Sequence, residues 1–176
     1  MTFAAASKDC LGRLVRLKRR VWQETYAGIY PESWLRELDE AGHAEKFREA
    51  IADHESQVCL ILAEGQDAGY FILGKPKHPI TGVAMSVNAL YLTSDFQHQG
   101  LGSQVWTEIL RRAKAAGQTV IGCRCNAHNH RALAFYKRRG GKEIALDLGH
   151  ADRSLDQIAF RIIEVGRKYP TRYRNR

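Results

Sequence analysis

The chain has 176 residues, enough for one domain with a sizeable core. Its apolar content of 44% is ordinary for a globular protein, and no apolar run approaches the roughly 20 residues that cross a bilayer. The formal charge of +8 calls for an anionic partner, and charge alone does not choose among nucleic acid, a membrane surface and a phosphorylated cofactor.

The opening MTFAAASKDC carries no basic leader, so a cytoplasmic protein is expected. Thr2 to Ala6 reads as a short strand. Asp9 is a candidate N-cap for a helix to about Tyr26, with Leu11, Leu14, Val15, Val21, Trp22 and Thr25 at helical spacing. Its polar face holds Arg16, Lys18, Arg19 and Arg20, which reads first as a solvated helix face. Gly28 and Pro31 end this helix, and Pro31 suits the first position of another with Trp34, Leu35 and Leu38. A short helix follows over 44–52. The aromatics Trp22, Tyr26, Tyr30 and Trp34 are open to two readings, core packing or the wall of a pocket.

Val58 to Ala63 and Tyr70 to Leu73 flank EGQDAG as a hairpin, and Lys75 to Gly82 is a loop. A long strand to Thr93 leads into QHQGLG, Gln97 to Gly102, and an amphipathic helix follows with Val105, Trp106, Ile109, Leu110 and Ala113 on one stripe, ended by Gly117. A glycine-bearing turn before a helix leaves backbone amides pointing outwards where the helix dipole is positive, which makes an anion site. It is neither a P-loop nor a dinucleotide fingerprint, and a plain tight turn is the competing reading. Thr119 to Cys125 is a strand, Asn129 to Arg139 a helix closed by Gly140 and Gly141, and Lys142 to Leu148 with Gln157 to Ile163 a final antiparallel pair. In the late helix Asn129, Ala132, Leu133 and Tyr136 share a face, which lines up a polar group, a small residue and a phenol able to serve as an acid.

The sequence resembles the GCN5-related N-acetyltransferases, the GNAT superfamily. The resemblance rests on Gln97-His98-Gln99-Gly100-Leu101-Gly102 against the family's Gln/Arg-x-x-Gly-x-Gly/Ala, and on Asn129, Ala132, Phe135, Tyr136 and Gly140 against its later Asn-x-x-Ala-x-x-Phe-Tyr block. VWQETYAGIYP is similar to the family's first-helix region. The resemblance implies an α+β, three-layer fold: a mixed, mostly antiparallel sheet of about seven strands flanked by helices and splayed between the fourth and fifth strands. It implies one catalytic domain over 1–166, leaving a basic tail over 167–176 with five of the 27 basic residues.

It also implies acetyl-CoA as co-substrate, transferred to a primary amine of a small molecule or protein by direct attack in a ternary complex. Cofactor contacts fall to Gln97 and His98, to the amides of Gln99, Gly100, Leu101, Gly102 and Ser103, to Leu90 and Leu92 on the fourth strand, and to Asn129 and Tyr136. The catalytic roles fall to the Leu92 amide, as oxyanion donor, and to Tyr136, as acid for the departing thiolate. Lys137 or Arg138 is the candidate for the CoA 3′-phosphate.

Many members carry a base on the fourth strand, but the matching position here is Ser86, and Asn88 is no base either. A water chain, His150, Glu24 or Asp152 is left for that task. The acceptor pocket is expected between the Trp22–Trp34 region and the 147–156 loop. Cys123-x-Cys125-x-x-His128-x-His130 contains zinc-ligand residue types in a span too tight for a tetrahedral site, so no metal is expected. Neither cysteine has a base and orienter for an acyl-enzyme. No nucleic-acid or membrane partner is expected, and a monomer or homodimer is implied. The alternative to an enzyme is a non-catalytic acyl-CoA-binding sensor.

Overall fold

The computed structural model describes residues 1–163, so the expected basic tail and the end of the 1–166 domain lie outside the described residues. Seven strands form one sheet: β1 (Thr2–Ala5), β2 (Gln57–Ala63), β3 (Gln66–Gly74), β4 (Met85–Leu92), β5 (Val120–Asn126), β6 (Gly141–Asp147) and β7 (Gln157–Ile163). Their spatial order is β1-β2-β3-β4-β5-β7-β6, and every neighbouring pair is antiparallel except β4–β5. Among the described residues five helices cover the faces: α1 (Leu11–Tyr26), α2 (Glu32–Arg36), α3 (Glu40–Ala52), α4 (Leu101–Ala115) and α5 (His130–Arg138). The expected mixed, mostly antiparallel sheet flanked by helices is present.

The two-residue period of the strands builds two cores. Val58, Leu60, Tyr70 and Ile72 meet Leu14, Val15, Leu17 and Val21 of α1 and Phe47 of α3 on one face. Cys59, Ile61, Phe71 and Leu73, one residue out of phase, meet Val105, Trp106, Ile109 and Ala113 of α4 on the other. Burial on both faces is why β2 and β3 read as continuous apolar runs. Glu64 and Gly65, with φ of 52° and 74°, close their two-residue turn.

Several boundaries differ from the sequence-based expectation. Asp9 lies in a 3-10 turn over Lys8–Cys10, and Cys10 holds the N-cap of α1 without a side-chain bond. Pro31 is the N-cap of α2 and not its first residue. The helix expected from residue 44 starts at Glu40, because the Asp39 carboxylate accepts the Gly42 amide at 2.9 Å.

The central departure from a regular sheet is between β4 and β5. They pair only at Met85, Ser86 and Val87, against Ile121, Gly122 and Cys123. Beyond these rungs residues 88–92 and 124–126 part company. The separation begins at a bulge: Val87 pairs with Leu73 and Ala89 with Ile72, which leaves Asn88 as the extra residue. The splay expected between the fourth and fifth strands is therefore present.

Candidate active site

The turn after β4 is held from several sides. The Thr93 amide bonds to the Ala68 carbonyl at 2.9 Å, and Phe96 is buried beneath the turn. The Glu24 carboxylate accepts from the Ser94 amide at 2.8 Å and the Ser94 hydroxyl at 3.0 Å. The Gln99 side chain donates to the Asp95 carbonyl at 2.6 Å. His98 and Gly100 both take positive φ, 60° and 79°. Left-handed residues in such a turn fold successive amides towards a common concavity.

Helix α4 starts directly from Gly100. The amides of Gln99, Gly100, Leu101 and Gly102 have no acceptor among the described residues, and the helix dipole adds to their positive field. Ser103 differs: its amide bonds to the Gly100 carbonyl at 3.0 Å, and its hydroxyl accepts from the Arg139 guanidinium. A Cβ on Gly102 would meet the Phe135 ring at 3.3 Å, so glycine lets α5 come this close to the start of α4.

The open edge of β4 leads away from this turn. With the Thr93 amide bonded to β3, strand alternation turns the amides of Leu92 and Leu90 to the opposite edge, into the gap. The Gln97 side chain donates to the Leu92 carbonyl at 2.7 Å from the same side. Across the gap, Asn129 caps α5 by accepting the Ala132 amide at 3.1 Å, which leaves its NH₂ group as a donor.

Tyr136 lies further along the same helix face. Its ring is buried against Trp106, Phe135 and Phe160, with centroids 5.9, 5.4 and 5.8 Å away. Burial pushes its phenol well above the ordinary value, and the neighbouring Cys123 thiol adds to this. Burial likewise raises the Cys123 thiol well above its usual range and pushes Cys125 up to about 12. Both sulfurs stay protonated at neutral pH, which disfavours either as a nucleophile.

On the α1 face the gap opens into a cavity of about 210 Å³. Trp22, Tyr26 and Tyr30 form one wall, and Cys125, from the opposite face of the sheet, also lines it, so the cavity reaches into the gap. Tyr26 and Tyr30 stack with centroids 4.2 Å apart, and the Tyr26 and Tyr91 hydroxyls are 2.8 Å apart. Trp34, grouped with these aromatics in the sequence, does not line the cavity and is 53% exposed. Gln157, rather than the 147–156 loop, contributes from the C-terminal side.

Ser86 and Asn88 both line the cavity, and Asn88 donates to the Lys75 carbonyl at 2.9 Å. The three side chains offered as substitutes for the strand-4 base do not line it. Glu24 is bound into the turn, His150 bonds to Asp147 at 2.8 Å, and Asp152 accepts the Ser154 amide at 2.8 Å. Lys137 pairs with Glu143 at 2.7 Å, while Arg138 is exposed.

Four residues at the site were not singled out from the sequence. Lys77 and His78 come from the Pro76–Pro79 loop, which has no periodicity to read, and Arg124 from β5 just past the last β4–β5 rung. Arg139 falls three residues after Tyr136, so the helical stripe from Asn129 was the available signal. His128, part of the Cys-x-Cys-x-x-His-x-His run, meets Asp156 at 2.7 Å and Arg153 at 3.0 Å.

Residues 19–141 match the acetyltransferase (GNAT) family. The chain is 28% identical over 142 residues to a spermidine N(1)-acetyltransferase of Thermoplasma acidophilum, covering 77% of this chain and 84% of that protein. It is 24% identical over 138 residues to an uncharacterized N-acetyltransferase of Lactobacillus delbrueckii subsp. lactis, covering 76% and 80%. The fold is similar to that of the PaiA N-acetyltransferase from Thermoplasma acidophilum in complex with coenzyme A, with a TM-score of 0.72, 21% identity, and 92% and 98% of the two chains covered. It is similar also to the acetyltransferase YncA from Salmonella typhimurium with acetyl-CoA, with a TM-score of 0.68, 17% identity, and 96% of each chain covered.

Proposed function

Because the chain belongs to the acetyltransferase (GNAT) family, we propose that it transfers the acetyl group of acetyl-CoA to a primary amine by direct attack in a ternary complex. The observation that carries this reading is the convergence of three features on the β4–β5 gap. A nest of unpaired amides lies at one end, an open strand edge runs along it, and an aromatic-walled cavity opens onto it.

The amides of Gln99 to Gly102 suit a pyrophosphate, with Gln97 and His98 shaping the turn and Arg139 placed beside Ser103 as a cation for a phosphate. Ser103 contributes through its hydroxyl side, since its amide is bonded within the turn. Leu90, Leu92 and the Asn129 NH₂ group offer the polar contacts for an extended amide-bearing arm.

Acetyl-CoA supplies an acetyl group already activated as a thioester. The Leu92 amide donates to the carbonyl oxygen as charge gathers there, with Gln97 holding the Leu92 carbonyl on the next peptide. The amine nitrogen forms the new bond to carbon as the carbon–sulfur bond breaks. Tyr136, whose burial keeps its proton in place, hydrogen-bonds the departing sulfur. The amine must shed its own proton, and no carboxylate lines the cavity. We assign that proton to His78, the imidazole on the cavity wall.

No helix among the described residues is long and apolar enough to cross a membrane, and all four cysteines are unpaired. Both accord with work in the cytoplasm. The test is acetyl-CoA titration by calorimetry, followed by thiol release with amines. Micromolar binding with release supports the enzyme. Binding without release from any amine makes the chain a sensor, and no binding overturns the reading.

A further inference from the structure

We infer that the acceptor is an amine that also carries an anionic group, a carboxylate or a phosphate, and is not a polycation. This rests on the acetyltransfer reading above and names the substrate class of the same cavity.

The lining carries cations and amides but no carboxylate: Lys77 and Arg124 supply charge, and Asn88 and Gln157 supply neutral polar groups. Arg124 is equipped to receive an anion. One guanidinium nitrogen donates to the Pro79 carbonyl at 3.3 Å, while its Nε is buried with no acceptor among the described residues. The Nε is out of reach of a ligand, but Arg124 lines the cavity, and a carboxylate or phosphate there has the geometry that the outer guanidinium N–H groups favour. The acidic side chains of the 147–156 segment lie outside the lining and each accepts a hydrogen bond of its own. Asp147 holds His150 at 2.8 Å, Asp152 holds the Ser154 amide at 2.8 Å, and Asp156 holds His128 at 2.7 Å.

The aromatic wall does not offset this for a polycation. One face of Trp22 is covered by Lys18, whose Nζ lies 3.6 Å from the ring centroid. Tyr26 and Tyr30 are stacked on each other at 4.2 Å, so their facing surfaces are closed. Beyond the wall, Lys46 and Lys77 lie near enough to Lys18 to disfavour its charge, and the same lysines disfavour charge on His43. A polyamine or aminoglycoside would meet two cationic side chains on the wall and no carboxylate there, with Asp152 acting on Tyr30 only from outside the lining.

The experiment compares matched amines on the full chain with acetyl-CoA, following thiol release. Phenylalanine is set against phenethylamine, and glucosamine 6-phosphate against glucosamine, with spermidine and kanamycin as polycations. Within at least one pair, kcat/KM is expected to be about ten- to a hundredfold higher for the anionic member, the range of a charge-assisted hydrogen bond. The pair that responds separates carboxylate from phosphate. Arg124→Gln raises KM for that amine while acetyl-CoA affinity by calorimetry holds. Lys77→Gln, on an exposed loop that can accept the change without unfolding, raises it less.

Preference for spermidine, kanamycin or the neutral members overturns the inference and leaves acetyltransfer standing. Intact acetyl-CoA binding with no turnover of either anionic amine overturns the inference as well. Absence of acetyl-CoA binding is the separate failure, that of the underlying reading.

Discussion

The side-chain amide of Gln97 donates to the carbonyl of Leu92 across 2.7 Å. One bond thus ties the turn that gathers the amides to the strand edge facing the gap. Gln97→Leu keeps the bulk and removes the donor. The Leu92–Thr93 peptide then keeps only its Thr93 bond to Ala68, the neighbouring Leu92 amide is held less firmly, and kcat is expected to fall about tenfold, less than the loss of a whole oxyanion donor. Steady-state kinetics checks this. An unchanged kcat would show that the β3–β4 ladder alone fixes Leu92.

Gly100 separates strain from charge. Its φ is 79°, and a Cβ there meets nothing within 4 Å. Asn tolerates this conformation, so Gly100→Asn costs little in stability. Gly100→Asp has nearly the same shape and adds a negative charge among the amides. Calorimetry is expected to show acetyl-CoA binding lost for Asp and retained for Asn. Equal affinity for both variants would remove the anion from this turn.

Tyr136→Phe leaves the ring among Trp106, Phe135 and Phe160 and takes away the phenol proton. The expected result is a kcat lower by about ten- to a hundredfold with the KM for acetyl-CoA little changed. If kcat holds, Tyr136 is a packing residue.

His78→Gln removes the imidazole from the cavity wall while keeping a polar side chain. The expected change is a kcat/KM lower by about tenfold or more at neutral pH, with partial recovery as pH rises and more amine is already neutral. A parallel drop at every pH would mean that His78 shapes the cavity and does not take the proton.

Lys18 lets the pH dependence of stability be worked out with its sign. Burial first, then Lys77 and Lys46, lowers its pKa from 10.5 to about 7. Between those values the unfolded chain holds the proton and the folded chain does not, so this lysine makes stability rise with pH across that window. Below it, Lys18 is charged in both states and its burial opposes folding in full. Lys18→Met keeps a flexible apolar stem on Trp22. Its melting temperature is expected to exceed the parent's near pH 6 and to converge on it above about pH 10. A variant that melts lower near pH 6 would show that the Trp22 ring more than offsets the burial.

The parts of the site legible in the sequence are those encoded locally. The Gln97–Gly102 turn and the Asn129–Tyr136 stripe each occupy one short stretch, where glycine placement and helical spacing leave a direct trace. The splay was expected only through the family resemblance, because its physical origin, the Asn88 bulge, is a relation between strands. Lys77, His78 and Arg124 were missed for the same kind of reason: a loop and a distant strand meet only once the sheet is formed. Ser86 shows the limit on the other side. Its lack of a basic side chain was plain in the sequence, but which residue faces the amine in its place was not.

The parting of β4 and β5 after three rungs leaves two strand edges in the interior of the sheet. An edge with unpaired amides and carbonyls is a template for any extended chain, and proteins usually blunt theirs with charge, proline or a covering loop. Residues 88–92, NALYL, carry neither charge nor proline. On the proposed function, the arm of acetyl-CoA is what covers them, which makes the small molecule a chaperone for its own binding site. A ligand that covers groups exposed only in the folded sheet stabilises that sheet by mass action, so occupancy of the gap and stability of the fold rise together.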